Sequence, residues 1–574
     1  MNARKPYAGK SRKLIIAIDV GTTFSGVSYS ILDPGQVPQV CGVNRFPAQE
    51  HAGGDSKIPS VLLYDKSGKV RAAGAETLQE DMMELAIDEG WFKSEWFKLH
   101  LRPRGSDPDP ALAALPPLPP NKSIVEVFAD FLSYLFDCAR TYIKEIQPTG
   151  AKFWSTIANN IDFVLTHPNG WEGQQQWLMR QAAVQGGLVA DSDEGKGRVS
   201  FVTEGEASLH FCLSRGLVVD GMKVGDGKGV VIVDAGGGTV DLSAYAQVRK
   251  GADVSYTEIA PAQCLFKGAI MVKRNAQAYI EARLRNSKFS ERTEDIVDAF
   301  DKSTKLTFKN AKTPAYVKFG GISDADAAYD VKGGKLVIPG PEVAKFFQPT
   351  ITSISQAVLK QRKQANSGIS SIFLVGGFAA SSFLYSQLCD SLSPLGFDVC
   401  RPDSHMNKAV ADGGVLYVVD HHVTARVAKF TYGTDGARVY QKKDKEHRKR
   451  HQQTQITADG GIQVTETQEF KLSMIELYEA WGPYQRYTID APIQVYRGSI
   501  RHPLWTDIDS HNFSVLCTVK ADVTSAVSRL APRCRADGRT YYQLEYEVVL
   551  LFGLTELKAQ LRWFANVRVV DHSL

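Results

Sequence analysis

Two apolar runs, each ending in an aspartate and breaking into a glycine- and threonine-rich turn, constrain this chain more than any other feature. The first is Leu14-Ile15-Ile16-Ala17-Ile18-Asp19, turning through Val20-Gly21-Thr22-Thr23 into Phe24-Ser25-Gly26. The second is Val230-Val231-Ile232-Val233-Asp234, turning through Ala235-Gly236-Gly237-Gly238-Thr239 into Val240-Asp241. Short apolar runs bounded by turn residues read as buried strands. The small residues make a tight hairpin whose amides can approach a phosphate closely. A carboxylate cannot itself hold phosphate, so Asp19 and Asp234 imply a divalent cation between them and the anion. Two such turns facing each other would clamp a nucleoside triphosphate and its magnesium.

A single Asp-x-Gly turn is an ordinary hairpin; the duplication carries the argument. A third element adds to it. Ile372-Phe373-Leu374-Val375 runs into Gly376-Gly377-Phe378-Ala379-Ala380-Ser381-Ser382, a strand, a glycine pair and then a helix. Glycines there let a flat base or ribose lie against backbone. These three elements in this order resemble the actin-like ATPase superfamily, which includes actin, sugar kinases and the 70-kDa heat-shock chaperones.

Length and composition set the frame. A chain of 574 residues holds several domains or subdomains. Hydrophobic residues at 43% supply globular cores, and 23% charged residues argue against wholesale disorder. A net charge of +4 gives no general reason to expect nucleic acid. The eight cysteines are scattered without a C-x-x-C pair and read as small buried residues in a reducing compartment. No apolar stretch approaches the ~20 residues of a membrane span. Residues 1–12 read as a polar, basic, disordered tail without a signal-peptide core, and the last residues carry no retention or prenylation signal. A cytoplasmic protein, with the nucleus as a second location, is the expectation.

The order of elements is strand turn, insertion, helix, strand, helix, strand turn, an α/β pattern. The best helix is 124–146: its apolar residues recur at three and four, and Ser123 with Glu126 forms a capping box. Residues 162–166 read as a strand and 174–186 as a helix. Residues 199–203 form a strand leading into a helix that opens at Glu204. Residues 270–365 are mainly helical, with a β excursion around 315–338. The proline-rich insert 102–120 is extended and loop-like. After about residue 425 strand-like alternation dominates, at 429–432, 462–467, 487–496, 513–519, 541–552 and 557–563. The basic run 442–451 interrupts it, as a solvated hairpin loop or, less simply, a nuclear-import or anionic-surface patch. The expected division is a nucleotide-binding domain over 13–428 and an all-β module over 429–574.

Further motifs resemble the 70-kDa heat-shock chaperones. These are Val164-Leu165-Thr166-His167-Pro168, the Glu204 helix, and Asp234-Ala235-Gly236-Gly237-Gly238-Thr239-Val240-Asp241. The resemblance is closer to the heat shock 70 kDa protein 12 branch, through Trp96-Phe97-Lys98-Leu99-His100-Leu101, Leu118-Pro119-Pro120-Asn121-Lys122 and residues 425–433. It implies a two-lobed, ribonuclease-H-like ATPase domain followed by an all-β module. It also implies roles. Gly21, Thr22 and Thr23 meet the phosphates of ATP or ADP from one side and Gly236, Gly237, Gly238 and Thr239 from the other, with Gly376, Gly377 and Phe378 at the nucleoside. Asp19, Asp234 and Glu204 hold Mg2+ mostly through its waters. Lys98 reaches the γ-phosphate and the attacking water, which Asp241 and Thr239 help to orient. Catalysis would be positioning and charge stabilisation. Two of these roles have plain alternatives. Glu204 suits a helix N-terminus by charge alone, and Lys93 and Lys122 compete with Lys98.

The chain also departs from the chaperone pattern. Phe378-Ala379-Ala380 offers no cation where the chaperones stack one on adenine, which puts base selectivity in doubt. Their leucine-rich linker, long helical lid and acidic tail are not evident. The leading expectation is a magnesium-ATP-binding, slowly hydrolysing, chaperone-like protein with unfolded clients or one dedicated protein partner. A nucleotide-binding switch or scaffold with negligible turnover is the alternative. A small-molecule kinase lacks a recognisable catalytic base and sugar pocket.

Overall fold

The computed structural model describes residues 4–573, apart from 53–55, 104–114, 172, 217–228, 251–252, 366, 403–405, 429, 440–441, 444, 450–454, 457–461, 469–471, 480–485, 501–502, 504, 535–537, 553–555 and 564–569. It divides into two compact units: Met1–Trp171 with Leu178–Val427, and Glu172–Trp177 with Ala428–Leu574.

Within the first unit one sheet pattern occurs twice. In the first half β1 (Lys13–Asp19), β2 (Phe24–Leu32) and β3 (Cys41–Gly42) run antiparallel. Then β4 (Ile161–His167) and β5 (Val199–Thr203) add parallel on the other side, giving the order β3-β2-β1-β4-β5. In the second half β6 (Gly229–Ala235), β7 (Val240–Lys250) and β8 (Asp253–Leu265) repeat the meander. Beside β6 lie β9 (Ile369–Val375) and β10 (Asp398–Cys400), again parallel, and β11 (Val423–Ala425) joins the far edge beside β8. The register places Asp19 opposite Gly26 and Asp234 opposite Asp241, so both aspartates stand at equivalent strand ends.

Parallel neighbours need a crossover. In the first half α1 (Ile124–Ile146) is part of it, capped by Ser123, whose hydroxyl accepts from the Glu126 amide while Glu126 accepts from the Ser123 amide. Its buried face, including Phe128, Phe131, Leu132 and Leu135, packs in one core with Leu14, Ile16 and Ile18. Each such side chain removed from water contributes roughly 1.5–3 kcal/mol. In the second half the crossover is the helical region, with α3 (Ala269–Leu284), α4 (Gly340–Gln364) and a small sheet of Ala315–Lys318, Val331–Lys332 and Lys335–Ile338. Two closing helices link the halves. Helix α2 (Glu204–Ser214) follows β5 and lies against β6 and β7, while α5 (Ala409–Asp420) follows β10 and lies against β1, β2 and β4. The two helices also pack on each other, with Gly413 directly over the Ala207 backbone.

The second unit contains two antiparallel sheets. One has the order Gln455–Ile456, Ile462–Gln468, Thr431–Val439, Thr488–Tyr496, Phe513–Asp522; the other runs Leu472–Glu479, Thr540–Phe552, Leu557–Trp563, Val570–Ser573. Alternate residues of both share a core: Ile489, Ala491 and Ile493 with Leu544, Tyr546 and Val548 and with Ala559, Leu561 and Trp563. That period of two is what a half-buried strand requires. Described helices here are short, such as Lys445–Lys449 and Thr524–Val527. Lys445–Lys449 falls in the basic run expected to be a plain hairpin loop. Most of the proline-rich insert, 104–114, lies outside the described residues.

The cysteines correct one expectation. Cys138 and Cys212 are buried, but Cys534 is exposed and the other five are half-buried; none forms a disulfide. Among the described residues no helix is long and apolar enough to cross a membrane.

Candidate functional site

The two turns meet. A methyl group on Gly237 would stand 2.1 Å from Thr23 Oγ1, and one on Gly238 would stand 2.4 Å from Thr22 Oγ1. Side chains at either glycine would force the halves apart there. The second turn is braced from behind by the start of α3. The carbonyls of Gly236, Gly237 and Gly238 accept from the amides of Ala269, Ile270 and Gly268 at 3.1, 2.9 and 3.1 Å. Among the described residues no peptide bond is cis, and a trans peptide points its N–H opposite its carbonyl. The amides of Gly237, Gly238 and Thr239 therefore point away from α3. Such a run of outward amides is an anion-binding surface. The first turn is held by hydroxyls: the Gly21 amide donates to Ser25 Oγ at 3.1 Å, which lies 2.7 Å from Ser60 Oγ.

Six charged side chains, all buried except the partly exposed Lys57, gather around these turns. Asp19 Oδ2 accepts from Lys57 Nζ at 2.6 Å and Oδ1 from Thr166 Oγ1 at 2.9 Å. Glu204, the first residue of α2, pairs with Lys98 Nζ at 2.5 Å. Asp234 Oδ2 accepts from Ser208 Oγ at 2.7 Å. Asp241 Oδ1 accepts from the Asn169 amide at 2.5 Å, while its other oxygen lies buried with no donor at full hydrogen-bonding geometry. Four carboxylates thus face two ammoniums.

Their titration follows from this imbalance. Burial drives Asp19 upward, but the charges of Lys57 and Lys98 outweigh it and hold its carboxyl below the usual value. Burial pushes Asp234 up to about 7, helped by Glu204. Asp241 rises well above the usual carboxylate range through burial and then Glu204. Glu204 is raised by burial, against the pull of Lys98. Lys98 is held charged because Glu204, Asp19 and Asp241 together overcome its desolvation.

The structure thus brings Asp19, Lys98, Glu204, Asp234 and Asp241 into one cluster beside Gly21, Thr22, Thr23, Gly236, Gly237, Gly238 and Thr239. Lys93 pairs instead with Glu95, and Lys122 with Asp130. The third turn adjoins the site: Gly376 has φ +92°, and a methyl there would meet Asp234 Oδ1 at 2.3 Å. Gly377 has open space around it. Phe378 is different. Its ring stacks on Phe347 within the core, centroids 6.0 Å apart, so only its backbone is left to face a ligand.

Sequence reasoning missed Lys57, Thr166, Ser208 and Asn169. Two had a readable signal. Ser208 stands one helical turn after Glu204, and Thr166 is next to last in β4, the strand parallel to β1, near the carboxyl end where ligands of open sheets gather. Lys57 had none, because its place depends on Ile58–Pro59 pairing with β2.

A hydrated divalent ion fits this set. Among the described residues no three His, Cys, Asp or Glu side chains converge to ligate an ion directly. Magnesium gives up water reluctantly and characteristically meets such carboxylates through its hydration shell. The mixed α/β architecture is consistent with an actin-like ATPase.

Comparison with known proteins agrees. No family model matches the chain. Heat shock 70 kDa protein 12A of Mus musculus is 24% identical over 507 residues, covering 73% of this chain and 71% of the relative. The chain is similar to the heat shock 70 kDa protein 12 branch. Heat shock 70 kDa protein 12A of Homo sapiens gives the same identity and cover. Heat shock 70 kDa protein 12B of Homo sapiens is 24% identical over 519 residues, 74% of this chain and 71% of its own length.

Proposed function

We propose that this relative of the heat shock 70 kDa protein 12 branch binds ATP or ADP with magnesium between its two turns, hydrolyses ATP slowly, and acts as a chaperone-like protein. The observation that carries this reading is the direct apposition of Thr22 and Thr23 with Gly237 and Gly238, ringed by buried acids that exceed the lysines by two. The amides of Gly237, Gly238 and Thr239 and the hydroxyls of Thr22 and Thr23 receive the phosphates. Asp19, Asp234 and Glu204 are the residues that would hold Mg2+ through its waters. The ion would supply charge neutralisation at the phosphates. Lys98 places a positive charge where negative charge grows at the leaving phosphoryl group. Asp241, with one oxygen free of a full hydrogen bond, orients the attacking water together with Thr239. In this reading the β-sheet unit receives a client strand or a dedicated partner by edge addition, in a cytoplasmic setting.

Two observations favour the switch or scaffold alternative: Lys98 is already locked to Glu204, and Phe378 leaves the nucleoside side without a stacking ring. Single-turnover hydrolysis of radiolabelled Mg-ATP by the full chain separates the two. Phosphate release above the buffer rate supports the enzyme. Binding without release leaves the scaffold.

A further inference from the structure

Lys57 is the feature of this site that the proposed reaction does not use. It directly precedes Ile58–Pro59, which pair antiparallel with Phe24 and Ser25 of β2. The Ser60 amide then donates to the Thr23 carbonyl at 2.8 Å, fastening this segment to the first turn. The stem of Lys57 lies across Gly26, its Cγ and Cε 3.3 and 3.4 Å from where a methyl on that glycine would stand. Gly26 is the register partner of Asp19. A bare backbone at this one position lets the stem lie flat and deliver Nζ to Asp19 Oδ2 at 2.6 Å. The side chain is only 13% exposed.

Both oxygens of Asp19 are therefore engaged, one by an ammonium and one by the Thr166 hydroxyl. Asp234 has no such lysine bond; Ser208 is its hydrogen-bond donor. The two aspartates that would share one hydrated ion are thus unequal, and a cation already sits at the first. An ammonium is a compact point charge on a flexible stem that serves phosphate as readily as carboxylate. It lies beside the turn whose threonines face the second turn.

We propose that Lys57 is a tethered cation of the phosphate site: it binds the nucleotide phosphates itself and competes with Mg2+ for Asp19, so that nucleotide binding persists when the metal is removed. The inference rests on the nucleotide-binding reading above and deepens it. It goes beyond charge balance at Asp19, because a lysine that only neutralised this carboxylate would not hold nucleotide in a chelator.

The test is calorimetric titration of ADP into the full chain, with Mg2+ and separately in EDTA, alongside thermal unfolding with Mg2+ alone. Wild type is expected to keep its affinity in EDTA within about tenfold of its affinity with metal. Lys57→Met should lose at least about tenfold in EDTA and change little with metal, and should gain a larger thermal shift from Mg2+ alone. Lys57→Arg should restore EDTA binding. Gly26→Val serves if Lys57→Met does not fold, because it displaces the stem while keeping the charge; it should weaken EDTA binding as well. Wild-type binding that needs metal absolutely, or Lys57→Met binding that matches wild type in EDTA, overturns the proposal and leaves the nucleotide reading standing. No binding of ADP with Mg2+ overturns both.

Discussion

The two turns share a topology and oppose each other in electrostatics. Both end a central strand in Asp, both hairpins run antiparallel, and both strands have a parallel neighbour on the other side. At the first, Lys57 and Lys98 draw Asp19 below the usual carboxylate range. At the second, burial and neighbouring acids lift Asp234 to about 7 and Asp241 well above its usual value. The first turn is satisfied by the protein itself. The second is left with charge that the fold does not compensate. A repeated fold can therefore build an asymmetric site: one half supplies cations and hydroxyls, the other amides and acids, a sum that the proposed magnesium-bound polyphosphate would complement.

The largest test of this contrast is stability without ligand. Asp19→Asn leaves the largely covered Lys57 ammonium without its counter-charge and should cost on the order of 3 kcal/mol. Asp234→Asn removes a poorly compensated charge and should be stabilising at pH 8. Urea unfolding of both variants measures the difference, and equal losses would break the comparison.

The pH dependence comes next. The folded-state pKa of Asp234 is raised from the usual 3.8 to about 7. Its contribution to stability is full below the ordinary value and is lost as pH rises through about 7. Wild type should therefore lose ground to Asp234→Asn between pH 5 and 8, by on the order of 3 kcal/mol. Asp19 is lowered, so its contribution stands above the ordinary value and is lost on acidification. Stability profiles of wild type against each variant should slope in opposite directions; parallel profiles would contradict the assignment.

In kinetics, Glu204→Gln and Thr239→Ala should slow single-turnover hydrolysis about a hundredfold, near 2.7 kcal/mol, while changing ATP affinity far less. An equal loss in both would place these residues in ground-state binding. The smallest expected effect separates the hydroxyls. Ser208→Ala removes a donor that Asp234 depends on and should weaken Mg-ADP binding about tenfold. Thr166→Ala leaves Asp19 its lysine and should weaken it by less than about threefold. A reversed order in calorimetry would show that Asp19 is the less supported acid.

Much of this architecture was legible because local signals were strong. The Asp19 and Asp234 turns announced themselves as apolar runs breaking into glycine. Residues 124–146 showed both periodicity and a capping box, and the helix occupies that span. The strand at 472–479 went unread: Leu-Ser-Met-Ile-Glu-Leu-Tyr-Glu fits neither a period of two nor one of 3.6 cleanly. Lys57 was invisible because strand pairing, not spacing, carries it to Asp19. The place of Phe378 after Gly376-Gly377 suggests a nucleoside contact; its fit against Phe347 is a packing fact that no local pattern encodes. Long-range register and packing are what sequence leaves unstated.

The central claim is that the two turns act together as one phosphate clamp. Calorimetric titration of Mg-ADP into the full chain and into Gly238→Val tests it most directly, because a side chain at Gly238 must collide with Thr22. Saturable one-to-one binding to wild type is expected, and its loss in the variant, with the variant still folded. No heat from wild type at about 1 mM nucleotide, or undiminished binding by Gly238→Val, would contradict it.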